Sequence, residues 1–139
     1  MAQKVREIMT ERPAVVGSGA PLTEAAQLMR ERDIGNVLVA DNGKLQGVIT
    51  DRDIVVRLVA QGADPRSVAA GDVCSRDPIC VGPQDDADQV LRLMRTQAVR
   101  RIPVVDGDRL VGIVSLGDMA VQRDARSVLA DISGAEPNN

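Results

Sequence analysis

The chain contains no histidine, tryptophan, tyrosine or phenylalanine. Without histidine the usual zinc ligand sets fail, and no Ser–His or Cys–His nucleophile pair can be built. Without aromatic rings, the bases of a single strand have no platform to stack on. Cysteine is scarce as well. Cys74 and Cys80 are the only two, too few for a disulfide framework, and they point to a reduced, cytoplasmic protein. No apolar run approaches the roughly 18 residues of a membrane span, and Met1 to Val16 does not read as a signal peptide. The net charge is −3, with no basic stripe, which argues against a non-specific nucleic-acid binder.

What is present is aliphatic. Of 139 residues, 44% are hydrophobic and 27% charged, and 20 are valine. The length suits one ordinary domain with a sizeable core. That core must be Val, Ile, Leu, Ala and Met, and the valine content favours strands.

The chain repeats itself. Shifted by 65 positions, it falls on its own second half without a gap. Pro13 meets Pro78, Gly17 meets Gly82, and Leu28-Met29-Arg30 meets Leu93-Met94-Arg95. Val39 and Asp41 meet Val104 and Asp106, Gly47 meets Gly112, and Asp53 meets Asp118. Repeat 1 spans residues 4–62 and repeat 2 spans 69–125, with a linker at 63–68 and a tail at 126–139 that is expected to fray. Each copy is too short for a comfortable core of its own. The two are therefore expected to share one fold about a pseudo-twofold axis.

Both copies read as strand, helix, strand, strand, helix, an α/β (α+β) architecture. Short apolar segments, Ala14-Val15-Val16 and Ile79-Cys80-Val81, open them. The stripe Leu22, Ala25, Ala26 and Met29, repeated by Ala87, Val90, Leu91 and Met94, has helical spacing. Pro21 suits a first helical turn, and Asp85 and Asp86 favour the start of the second copy's helix. Strands at Val37–Val39 and Ile102–Val105 lead into the turns Asp41-Asn42-Gly43 and Asp106-Gly107-Asp108, and return over Leu45–Ile49 and Leu110–Val114. A second helix follows, with Ile54, Val55, Leu58 and Val59 in copy one and Met119, Ala120 and Val121 in copy two. Ile54, Val55, Val56, Leu58 and Val59 form an apolar surface wider than one core stripe, which fits a twofold homodimer.

Two features could carry chemistry. Between Gly47 and Asp53 a strand ends and a helix begins. Thr50 or Asp51 is placed to cap that helix, and unpaired N–H groups at a helix start attract anions. Asp53 accepts only, so it could receive both hydroxyls of a ribose, or it could simply offset the helix dipole. Gly47 could admit close backbone approach. The second feature is Arg100-Arg101, two permanently charged forks just before an apolar strand. They could clamp a phosphate, or form a solvated surface pair. Copy one has Gly35-Asn36 at that place.

The motifs resemble those of the CBS-domain pair, named after cystathionine β-synthase. They are Met9-Thr10-Glu11-Arg12-Pro13, Asp33-Ile34-Gly35-Asn36-Val37-Leu38-Val39 and Gly47-Val48-Ile49-Thr50-Asp51-Arg52-Asp53 in copy one. In copy two they are Ser75-Arg76-Asp77-Pro78, Val99 to Asp106, and Gly112-Ile113-Val114-Ser115-Leu116-Gly117-Asp118. The chain also looks like small stand-alone bacterial members of the hypoxic-response type. The resemblance implies that the Asp of the G-x-x-[Thr/Ser]-x-x-Asp pattern holds the ribose of an adenosine ligand. It also implies that a basic pair before the Ile-Pro strand reaches the phosphate of the ligand whose ribose the other copy holds.

Two clefts are then implied. The first takes Val48, Thr50 and Asp53 from copy one with Ser75, Cys80, Val99, Arg100 and Arg101 from copy two. It is expected to prefer a phosphorylated adenosine such as AMP, ADP or ATP. The second takes Ile113, Ser115 and Asp118 with Thr10, Val15, Ile34, Gly35 and Asn36. It lacks the arginine clamp, and is expected to be weaker, empty or suited to a less anionic adenosyl compound. Cys80, beside the base in the first cleft, reads as a small buried hydrophobe, with a redox switch as the alternative. The methionines of the helical stripe read as core.

The sequence therefore points to a regulatory module that senses an adenine nucleotide and acts on a regulated partner protein. It requires no cofactor and no metal, and engages neither nucleic acid nor membrane. A dimeric interaction scaffold with vestigial clefts is the alternative. An enzyme is disfavoured, because no paired-carboxylate spacing and no histidine base are present.

Overall fold

The computed structural model describes residues 3–120. Val121 and the tail at 126–139 lie outside the described residues. The chain divides into two compact units. The first comprises residues 13–78 and 108–110, and the second residues 3–12, 79–107 and 111–120.

In the first unit, β1 (Val15–Val16) is followed by α1 (Leu22–Arg32), β2 (Asn36–Asp41), β3 (Lys44–Thr50), α2 (Asp51–Arg57), a 3-10 turn (Val59–Gln61), α3 (Ala70–Val73) and β4 (Ser75–Arg76). β1 runs parallel to β2, with Val15 opposite Leu38 and Val16 opposite Val39. β2 and β3 form an antiparallel hairpin that pairs Asn36 with Thr50 and Asp41 with Lys44. Asn42 (φ 53°) and Gly43 (φ 81°) make its two-residue turn. Both angles are left-handed, as a turn matching the strand twist requires, which is why Asn-Gly serves here. β4 closes the sheet antiparallel to β3, with Gly47 opposite Arg76 and Val48 opposite Ser75.

Side chains alternate across the sheet. Val16, Val37, Val39 and Ile49 face one core with Leu22, Ala25 and Met29 of α1 and Leu58 beyond α2. The stripe on α1 is narrower than its spacing suggests. Ala26 is exposed, and Leu28, on the opposite flank, packs against the core instead. Both residues flank the stripe, and only the longer side chain reaches the core. Pro21 is the N-cap (φ −67°, ψ 151°) rather than a residue of the first turn. α2 stops at Arg57, so Val59 belongs to the 3-10 turn and not to the helix.

The second unit repeats the plan. A 3-10 turn (Val5–Glu7) precedes α4 (Ala87–Gln97), β5 (Arg101–Asp106) and β6 (Arg109–Ser115), whose first two residues belong to the first unit, where Arg109 pairs with Lys44 of β3. α5 begins at Leu116 and is described to Ala120. Val5, Ile8, Val81, Val90, Met94, Ile102, Val104 and Val114 form its core, with Met119 of α5. The opening apolar segment of this copy is reduced to one parallel bridge, Val81 to Val104. Asp86 is the N-cap of α4, and its side chain makes no cap hydrogen bond. The Asp85 carboxylate accepts instead from Gly82 N–H at 2.8 Å.

Each sheet is completed by a segment that precedes the body of the other repeat. β4 serves the first unit, and Thr10, 65 positions earlier, pairs with Ile113 in the second. Two glycines permit this. A Cβ on Gly47 would lie 2.5 Å from the Ser75 carbonyl oxygen and 2.8 Å from Cys74 Sγ. A Cβ on Gly112 would lie 2.7 Å from the Thr10 carbonyl oxygen. Both distances are far inside van der Waals contact, so only a residue without Cβ fits.

Candidate functional site

The strand register sorts the candidate residues. In the first unit Val15, Leu38, Val48 and Ser75 occupy one row across four strands. Asn36 and Thr50 form a parallel row two residues along. Alternation places both rows on the sheet face opposite Val37, Val39 and Ile49. Of the candidate set, Val15, Asn36, Val48, Thr50 and Ser75 thus share one face. Val15 and Ser75 are exposed, and the others are half-buried. Ile34 packs instead against the first core, and Val99 packs in the same way against the second.

At the edge of that face, Thr50 and Asp53 form a capping box. Thr50 Oγ1 accepts from Asp53 N–H at 3.0 Å, and Asp53 Oδ2 accepts from Thr50 N–H at 2.9 Å. Asp53 Oδ1 lies 3.8 Å from Arg57 Nε. Arg57 Nη1 in turn donates to the Val73 carbonyl at 3.0 Å, tying α2 to the end of α3. The first N–H groups of α2 are already used. Asp51 N–H donates to the Gly35 carbonyl, Arg52 N–H to Asp51 Oδ1, and Asp53 N–H to Thr50. The expectation that this helix start would draw an anion through unpaired N–H groups is therefore corrected: the Gly35 carbonyl and two side chains of the helix start have taken them.

The second unit builds the same box. Ser115 Oγ accepts from Asp118 N–H at 3.0 Å, and Asp118 Oδ2 accepts from Ser115 N–H at 2.9 Å. Leu116 N–H donates to the Arg100 carbonyl at 2.7 Å, which sets the Arg100 backbone beside the box. Arg100 and Arg101 are both exposed. Thr10 is exposed opposite Ile113, which is 9% exposed.

Cys80 is exposed, not the small buried hydrophobe expected from its apolar neighbours. Its neighbour Val81 makes the parallel bridge to Val104. What cover the sulfur has still pushes the thiol pKa up, which disfavours the thiolate a redox switch needs. Cys74 is buried, with its thiol 3.6 Å from the Gly71 carbonyl. Among the described residues, no group of three Cys, Asp or Glu is arranged to hold a metal ion, and no helix is long and apolar enough to cross a membrane.

Arg57 at the box escaped the sequence reading, and so did the contact of Asp51 with Gly35. The Asp53–Arg57 spacing is a readable i,i+4 pair, but the bond from Arg57 to Val73 has no local signal. The proximity of the Asp51 carboxylate to Gly35 has none either.

Comparison with known proteins agrees with the repeat. The CBS-domain family model matches residues 5–60 and again 70–122. CBS domain-containing protein YhcV of Bacillus subtilis is 38% identical over 93% of this chain and 94% of its own length. Hypoxic response protein 1 of Mycobacterium tuberculosis is 40% identical over 83% of this chain and 81% of its own. The crystal structure of hypoxic response protein I with two coordinated zinc ions matches with a TM-score of 0.79 and 39% identity, over 86% of this chain and 98% of that one. The CBS domain pair of protein MJ0100, in complex with 5′-methylthioadenosine and S-adenosylmethionine, matches with a TM-score of 0.78 and 26% identity, over 91% of this chain and 99% of that one. The duplicated strand pattern, the two capping boxes and these matches together make the chain a member of the CBS-domain family, carrying the domain twice.

Proposed function

We propose that this protein is a regulatory module that binds an adenine nucleotide between its two CBS repeats and passes the signal to a partner protein. The observation that carries the reading is the matched pair of boxes, Thr50/Asp53 and Ser115/Asp118, at equivalent strand-to-helix junctions 65 positions apart. Each box caps its helix and still leaves carboxylate lone pairs free to accept from a ligand, in both copies. The first site joins Val48, Thr50, Asp53 and Ser75 to Cys80, Arg100 and Arg101, with Asp53 on the ribose and the arginines on the phosphate. The second joins Ile113, Ser115 and Asp118 to Thr10, Val15, Gly35 and Asn36, and takes a less anionic adenosyl compound. The adenosyl ligands of the MJ0100 pair support that ligand class. With no aromatic residue in the chain, the base lies between aliphatic side chains, and affinity is in the micromolar range. The protein is cytoplasmic, catalyses no reaction and needs no cofactor.

The zinc of hypoxic response protein I does not carry over. This chain has no histidine and two cysteines, one buried and one exposed, which does not fit a zinc donor set. A homodimer is part of the proposal, because Val55, Val56 and Val59 are 57%, 47% and 61% exposed on one short stretch. The same valines favour a second reading, a dimeric scaffold with vestigial clefts.

A dye-based thermal shift with AMP, ADP, ATP, NAD, adenosine and S-adenosylmethionine separates the two. A ligand at about a hundred times its dissociation constant adds roughly 2.7 kcal/mol, several degrees of midpoint. A shift with the phosphorylated compounds that adenosine does not match supports the sensing module. No shift with any compound leaves the scaffold.

A further inference from the structure

We propose that Asp51 sets the charge preference of the second site: its carboxylate keeps phosphate away from the Gly35-Asn36 loop and tunes that site to a neutral or cationic adenosyl ligand. This rests on the reading above, in which the loop before the apolar strand faces the ligand's phosphate.

Equivalent backbones carry opposite side chains at this place. In the first unit Asp51 N–H donates to the Gly35 carbonyl at 2.9 Å, and in the second Leu116 N–H donates to the Arg100 carbonyl at 2.7 Å. The bond is the same, 65 positions apart. Where the second unit has a guanidinium beside leucine, the first has glycine beside a carboxylate. A Cβ on Gly35 would lie 3.2 Å from Asp51 Oδ2 and 3.6 Å from Oδ1. The carboxylate therefore stands over the space from which the Arg100 side chain departs in the other copy.

That carboxylate is held in place. Its own N–H is bonded to Gly35, and its Oδ1 accepts from Arg52 N–H at 2.8 Å. The guanidinium of Arg57 is engaged elsewhere, near Asp53 and on the Val73 carbonyl. Two substitutions at matched positions thus reverse the sign of charge beside the loop. Placing like charge where a competitor would bind discriminates as effectively as adding a contact to the preferred ligand. Asp51 is exposed, so water and salt weaken the repulsion and the discrimination is moderate.

The test is calorimetric titration of the full chain with AMP and with adenosine, in the unmodified protein, Asp51→Asn and Asp51→Leu. Either variant is expected to tighten AMP at the weaker site by about tenfold, to leave adenosine nearly unchanged, and to lose most of the gain at high salt. In an Asp118→Ala background, which removes that site's ribose hold, the gain should vanish. Unchanged AMP binding in both variants, equal changes for AMP and adenosine, or a gain that survives Asp118→Ala overturns the role of Asp51 alone. If neither compound binds the folded unmodified chain or its variants, the adenine-nucleotide reading falls, and the role of Asp51 with it.

Discussion

Thr50 and Asp53 satisfy each other's backbone: the Asp53 N–H donates to the Thr50 hydroxyl, and the Thr50 N–H donates to the Asp53 carboxylate, at 3.0 and 2.9 Å. The box uses one carboxylate oxygen. The other lies 3.8 Å from Arg57 in a side chain 18% exposed, with lone pairs left to accept from a ligand. Capping and ligand binding are compatible in one side chain, so mutation should separate two effects. Asp53→Ala is expected to lower stability by about 1 kcal/mol and also to abolish the nucleotide-induced thermal shift. A full nucleotide shift on a lowered baseline would reduce Asp53 to a cap.

The arginine pair makes a prediction that depends on phosphate. Replacing Arg100 and Arg101 with Ala should weaken AMP by at least about tenfold, because charge-assisted forks are lost, while adenosine is unaffected. Both side chains are exposed, so folding should not change. Equal loss for AMP and adenosine in a titration would refute the clamp.

Gly47 is a packing constraint that sequence alone leaves ambiguous. In Gly47→Ala the new Cβ meets the Ser75 carbonyl at 2.5 Å, and backbone must move. The expected cost is about 1–3 kcal/mol in chemical denaturation, with β4 the first element to lose amide protection. A melting temperature unchanged from the parent chain would mean that β4 is not held against β3.

Ala98 ends α4 with φ 55°, a left-handed conformation that costs an L-residue with a Cβ. Ala98→Gly should stabilise the protein by about 1 kcal/mol. The matching C-cap of α1, Asp33 at φ 54°, should gain less from glycine, since Asp tolerates this region better than Ala. Thermal denaturation of both variants tests the order.

The exposed valines predict an oligomeric consequence. Val55→Ser, Val56→Ser and Val59→Ser combined should convert a dimer to a monomer in light scattering at about tens of micromolar. None of the three is buried in its own unit, so the fold should survive. A monomer mass for the unmodified chain would remove the dimer from the proposal.

The tandem repeat, both main helices, both hairpin turns and the two hydroxyl–carboxylate boxes are determined by the sequence itself. Each rests on local chemistry: a 3.6-residue apolar period, Asn-Gly at left-handed angles, or a side chain reaching its own backbone three residues away. Other features were decided only by tertiary structure. That Ser75–Arg76 joins the sheet of the first unit, and Thr10 that of the second, depends on which strand edge is available and on the missing Cβ of Gly47 and Gly112. That Ile34 and Val99 turn toward the cores, that Ala26 and Cys80 stay exposed, and that Asp51 stands over Gly35 follows from packing between segments distant in sequence. A residue's period and propensity say which face it prefers. Only the neighbours brought to that face decide what it touches, and at the box and its adjoining loop those neighbours set the charge that a ligand would meet.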